Sequence, residues 1–209
     1  MEKEIFKPGN MLYPLPVVMV SCADEFGNNN IITVAWCGTI CTNPPMVSVS
    51  IRPERHSYSI IENTKEFVIN LTTEELTKAT DFCGVRSGRD VDKFKEMNLT
   101  PKKGEKVNAP IIEESPVNIE CRLKEIIKLG SHDMFIAEVV GVQVDKRSMN
   151  ETGKFELNKT RPVVYSHGEY YGLGTLLGNF GYSVRKQKIQ KVDKKNSKMP
   201  RGKINDEKR

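Results

Sequence analysis

The stretch Ser50-Ile51-Arg52-Pro53-Glu54-Arg55-His56-Ser57-Tyr58-Ser59 gathers two guanidiniums, an imidazole and several hydroxyls where an apolar run gives way to a short helix. Such a helix start suits a dianion such as a phosphate, because its free N–H groups, the macrodipole and forked arginine donors all favour negative charge. Upstream, Thr33-Val34-Ala35-Trp36-Cys37-Gly38-Thr39 leaves another apolar run through small residues, where backbone amides and a hydroxyl can approach a flat ligand. Residue types alone leave two readings open: a site for an anion and a ring, or a solvated turn with Ser57 as an ordinary N-cap.

Other chemistries find less support. His56, His132 and His167 are far apart, and none forms a His-x-x-x-His pair or joins a Cys/His cluster, so no metal site is expected. Cys22, Cys37, Cys41, Cys83 and Cys121 are odd in number and irregularly spaced, with no Cys-x-x-Cys, which fits reduced thiols in a cytoplasmic protein. A Cys–His nucleophile pair has no local signature, and there is no Gly-x-Ser-x-Gly elbow, Walker loop or Gly-x-Gly-x-x-Gly.

The elements that must position the polar residues are mostly strands. Residues 17–23 and 31–36 are apolar runs flanking a Gly/Asn-rich turn, which predicts an antiparallel pair. After the breaker Asn43-Pro44-Pro45, Met46-Val47-Ser48-Val49-Ser50-Ile51 alternates with period two, the mark of a strand with one buried face. A short helix is expected over 57–63 and a strand over 66–71. Thr72 and Glu75 have capping-box spacing, which predicts a helix from there to about Phe82. One or two helical turns are expected at 93–97 and mostly loop over 101–116. Further strands are expected near 117–128, 134–145, 162–165 and 169–172. Many strands, short helices and no βαβ rhythm indicate a mainly β fold, a closed or nearly closed antiparallel barrel.

With 38% hydrophobic and 28% charged side chains the chain can bury a proper core. Its net charge of +5 is unevenly placed: 185–209 holds eleven basic against three acidic residues, leaving 1–184 mildly acidic. The expected organisation is therefore one domain over 1–184 and a basic C-terminal tail over 185–209. No aromatic follows Tyr182 for base stacking, which argues against nucleic acid as partner. No apolar run is long enough to span a membrane, so no membrane association is expected.

In chain order, Pro14-x-Pro16, Asn30 to Trp36, Asn43 to Ile51, Arg55-His56-Ser57-Tyr58 with Ile61, Glu66 to Leu71, Ser87-Gly88-Arg89-Asp90 with Asp92-Lys93-Phe94, and Ser131 to Val139 form an ordered set. Over about residues 10–175 the chain resembles the flavin reductase-like proteins with the FMN-binding split barrel, and within them the flavoredoxin-like branch. The resemblance implies an antiparallel split β-barrel with Greek-key character and a few short helices. It also implies a homodimer with one FMN per barrel near the subunit interface. Carried over to this chain, Thr33, Ala35, Trp36, Cys37 and Gly38 would line the flavin ring and ribityl chain. Ser50, Arg52, Arg55, His56, Ser57 and Tyr58 would surround the phosphate, with Ser87, Gly88 and Lys93 in the motif that closes over the cofactor. His132 would stand beside a nicotinamide or the outer flavin face; on residue type it also reads as a turn residue capping the next strand. The implied activity is redox: NADH or NADPH, or a protein donor, would pass hydride or electrons through FMN to an acceptor. The contrasting expectation is a non-enzymatic binding module whose tail recruits RNA or an acidic partner.

Overall fold

The computed structural model describes residues 1–185. Met1–Gly174 forms one compact unit and a second begins at Thr175, whose described part holds a short 3-10 turn over Tyr182–Val184. The basic tail expected over 185–209 lies, apart from Arg185, outside the described residues. Among the described residues no helix is long and apolar enough to cross a membrane.

The first unit is built on a seven-stranded antiparallel sheet. Its strands are β2 (Val18–Ala23), β3 (Asn29–Val34), β4 (Cys37–Cys41), β5 (Met46–Ile51), β6 (Glu66–Leu71), β9 (Val117–Lys128) and β10 (Asp133–Val144), hydrogen-bonded in the order β3-β2-β6-β9-β10-β5-β4. A three-stranded sheet joins β1 (Leu15–Pro16), β11 (Val163–Ser166) and β12 (Glu169–Gly172), and β7 (Pro101–Lys102) pairs with β8 (Ile111–Ile112). Helices α1 (His56–Thr64), α2 (Thr77–Val85) and α3 (Lys93–Glu96) complete the unit. The large sheet curls until β3 comes back beside β5, yet the two strands are not paired. The barrel is therefore split along a seam between them.

Burial explains why these segments became strands. Val47, Val49 and Ile51 of β5 point into the barrel with Val18, Val20, Ile32, Val34, Phe67, Ile69 and Phe135, while Ser48 and Ser50 face out half-buried. Fully burying one such side chain contributes about 1.5–3 kcal/mol. β2 and β3 are apolar on both faces, because Met19 and Ile31 point outward into a second cluster with Leu76, Ala79, Cys83 and Phe94 of α2, α3 and their connections. That cluster lays both helices along the outer side of β3.

Several local expectations are corrected. Ser57 is not the N-cap of α1: Arg55 holds that position without a side-chain cap, and the Ser57 hydroxyl accepts from Asn30 Nδ2 at 2.7 Å. The capping box does not form. The Thr72 hydroxyl donates to the Val17 carbonyl at 2.7 Å, and α2 starts later, at Thr77, and runs past Phe82 through Gly84 to Val85. The 101–116 segment contains the β7–β8 pair, and its Val107, Ala109 and Ile111 are buried against Val68. Cys37–Cys41 is a strand of its own, where a strand end was expected. The barrel itself is as expected, antiparallel and nearly closed, and split at the seam between β3 and β5.

Candidate functional site

Where β3, β5, the start of α1 and the end of α2 meet, the surface opens into two cavities of about 190 and 260 Å³. Ile32, Arg55 and Val85 line both, so the two form one continuous cleft along the seam.

The smaller end is cationic. Arg55, Arg86, Arg89 and Lys93 line it against one carboxylate, Glu54, together with Asn30, His56, Ser57, Ser87 and Gly88. At the start of α1 the Tyr58 N–H is taken by the Arg55 carbonyl at 3.0 Å, which leaves the His56 and Ser57 N–H groups as the helix-start donors. Arg89 donates to the Glu54 carbonyl at 3.1 Å and Arg55 to the Gly84 carbonyl, which ties the 52–55 turn to the end of α2. Gly88 has to be glycine. A Cβ there would lie 2.0 Å from Asn30 Oδ1 and 3.0 Å from His56 Cδ2, so the 86–89 loop closes against β3 and α1 only without a side chain. Burial, then the nearby Arg89 and Lys93 charges, hold the His56 imidazole below its usual range.

Lys93 is 4% exposed, and its Nζ donates to the carbonyls of Ile31 (2.6 Å) and Cys83 (2.9 Å). No ion pair among the described residues includes it. Burial lowers its pKa to about 8.

The larger end is flatter and more aromatic. Thr33, Val34, Ala35, Trp36, Ser50, Ile51, Arg52, Asp81, Gly84, His132, Tyr165 and Tyr170 line it. Trp36 stacks on His132 with ring centroids 5.9 Å apart and planes 10° from parallel. Tyr165 and Tyr170 face each other across the β11–β12 pair, and the Tyr170 hydroxyl donates to Asp81 at 3.1 Å. Burial and the Asp81 carboxylate push that phenol up to about 12.

The structure thus brings Arg55, His56, Ser57, Ser87, Gly88 and Lys93 to the cationic end, and Thr33, Ala35, Trp36 and His132 to the aromatic end. Ser50 and Arg52 lie at the aromatic end, away from the anion seat expected for them, and Arg52 pairs with Glu54 at 3.1 Å. Tyr58 is elsewhere. One position after Ser57, it turns into the barrel, packs edge-on to Phe135 and donates to buried Asp133 at 2.7 Å. Cys37 and Gly38 sit on β4 outside the cleft lining, and the Cys37 thiol packs against the barrel core, where burial pushes it up to about 12.

Sequence reasoning missed Asp81, Gly84, Val85, Arg86, Tyr165 and Tyr170 as lining residues. Arg86-x-x-Arg89 flanking Ser87-Gly88 was a usable signal for the cationic end. The tyrosines carried none, since pairing of distant strands brings them in. The cleft can hold a phosphate-sized anion at one end and a planar conjugated system at the other.

The chain belongs to the family of the flavin reductase like domain, which matches residues 10–174. The flavoredoxin of Desulfovibrio vulgaris (Miyazaki F) is 32% identical, with a TM-score of 0.83 over 88% of this chain and all of its own. The flavoredoxin of Methanosarcina acetivorans is 26% identical with a TM-score of 0.78, again over 88% of this chain and all of its own. A protein of Archaeoglobus fulgidus without assigned function is 30% identical over 142 residues, 68% of this chain and 79% of its own length. The fold is that of the flavoredoxin and flavin reductase split barrels.

Proposed function

We propose that this protein is an FMN-dependent oxidoreductase that passes reducing equivalents from NADH, NADPH or a protein donor to an acceptor. The observation that carries the reading is the single seam cleft, cationic at one end and aromatic at the other, with Arg55 at the junction. Its polarity matches FMN, a phosphate monoester joined by a polar chain to a tricyclic ring. FMN would supply the redox chemistry, exchanging hydride or electrons at its ring.

The chain's own residues bind and orient. Arg55, Arg86, Arg89 and Lys93, with the His56 and Ser57 N–H groups at the start of α1, hold the phosphate through charge-assisted hydrogen bonds. Gly84 lets the end of α2 close on β3, where a Cβ would meet Thr33 at 3.3 Å, and Ala35 adds little bulk to the aromatic end where a flat ring would lie. Stacked Trp36 and His132 form the wall against which a second planar molecule, such as a nicotinamide, would lie, so alignment and exclusion of water are the protein's share of the rate. No protein nucleophile is required. The homodimer implied by the resemblance is part of the proposal: β4 ends the large sheet, and Trp36 just before it and Ile40 on it are 40% and 47% exposed.

The test is direct. Purified protein should be yellow, or take up FMN to give bound-flavin absorption bands. Anaerobic mixing with NADH and NADPH should bleach that colour within seconds if a nicotinamide is the donor. A colourless protein that refuses FMN overturns the cofactor assignment, and a loaded protein inert to both nucleotides leaves the protein-donor arm. Sedimentation of the loaded protein as a monomer would refute the dimer.

A further inference from the structure

The cationic end holds a charge that no described carboxylate pairs with. Lys93 is buried, and two backbone carbonyls take two of its three protons. Every carboxylate paired to a base in the described residues is paired to some other base. A buried ammonium of this kind is costly until an anion arrives. The cavity it lines is the one expected to receive a phosphate.

We propose that Lys93 couples cofactor binding to proton uptake: a bound phosphate completes its environment, so the seat holds its ligand in neutral solution and releases it as the solution turns alkaline. The inference rests on the FMN reading and adds a regulatory property to the same site.

The neighbours single out this residue. From β2 comes Cys22, pushed up to about 12 by burial, and from α2 Cys83, pushed up to about 11. From the start of α1 come the Arg55 guanidinium and His56, which burial holds below the usual imidazole range. Lys93, at about 8, is therefore the group at this seat that changes charge between pH 7 and pH 9. The phosphate monoester is a dianion throughout that range, its second ionisation lying near 6. The sign follows: the ligand prefers the charged amine, so affinity is full below pH 8 and falls as pH rises through 8. Between pH 7 and pH 9 the charged fraction drops about tenfold, and FMN affinity should drop with it.

The experiment is calorimetric titration of the full chain with FMN and with riboflavin, which lacks the phosphate, at pH 7, 8 and 9 in buffers of different ionisation enthalpy. At pH 8 each FMN bound should take up about half a proton, and riboflavin none. Lys93→Arg, whose guanidinium does not titrate here, should bind FMN without a pH slope. Equal FMN affinity at pH 7 and 9 without proton uptake in the unaltered protein overturns the proposal even if the arginine variant does not fold, as does a full pH slope in Lys93→Arg. Failure of FMN to bind at pH 7 is a different result, which overturns the cofactor reading and this coupling with it.

Discussion

Replacing Gly88 with alanine should loosen the phosphate end while leaving the barrel intact. Gly88 is not among the positive-φ glycines, so the backbone tolerates a side chain and only space is at issue. The new methyl would sit 2.0 Å from Asn30 Oδ1 and 2.7 Å from its Cγ, more than 1 Å inside ordinary contact. Asn30 cannot step aside cheaply: it is 5% exposed, and its amide donates to buried Ser57. The 86–89 loop must give instead, carrying Arg86, Ser87 and Arg89 outward by about an ångström. Charge-assisted hydrogen bonds contribute about 1.5–3 kcal/mol each, so losing one weakens FMN by roughly 10- to 100-fold. Overpacking costs about 1–3 kcal/mol, and relaxation of the loop keeps the melting point within a few degrees. The assay is paired titration with FMN and riboflavin: FMN affinity should fall toward that of riboflavin, and riboflavin affinity should stay. Gly38→Ala is the control, because a Cβ there meets nothing within 4 Å. A folded Gly88→Ala protein that holds FMN as the unaltered one does would refute the closure argument.

Arg55→Ala should weaken FMN by a similar 10- to 100-fold and free the end of α2, read by titration and by faster amide exchange at Gly84. His132→Ala should spare FMN affinity but slow reduction by nicotinamide in stopped flow. It should also shift the emission of Trp36, the chain's single tryptophan, by removing the ring stacked on it. Tyr58→Phe should leave FMN affinity unchanged and destabilise the fold by about 1–3 kcal/mol, measured by denaturant melts, because Asp133 loses its partner inside the barrel.

The parts of the fold that were legible have a local cause. β5 reads as a strand because one face meets the core and the other stays polar, and the apolar runs of β2 and β3 read as strands with cover on both faces. The capping box misled because spacing cannot show that the Thr72 hydroxyl is already engaged by Val17 across the sheet. In the site, Tyr58 came with Arg55, His56 and Ser57 through the resemblance, yet the helix turns its side chain into the barrel, where Phe135 and Asp133 hold it. Strand alternation likewise turned Cys37 inward. Tyr165 and Tyr170 were invisible because only the return of the chain as β11 and β12 places Tyr165 beside Trp36 and Tyr170 against Tyr165.

A sheet that ends at β3 instead of closing leaves that strand with one margin lacking a strand neighbour, and such margins recruit foreign backbone. Here side chains act as the guard: the Lys93 amine covers the Ile31 carbonyl, and the Thr33 hydroxyl fastens the strand to the Thr80 carbonyl of α2. The guard is weakest when the neighbouring cleft is empty and the amine sheds its proton. Stripped protein concentrated at alkaline pH should therefore clump first, and filling the cleft should keep it dispersed.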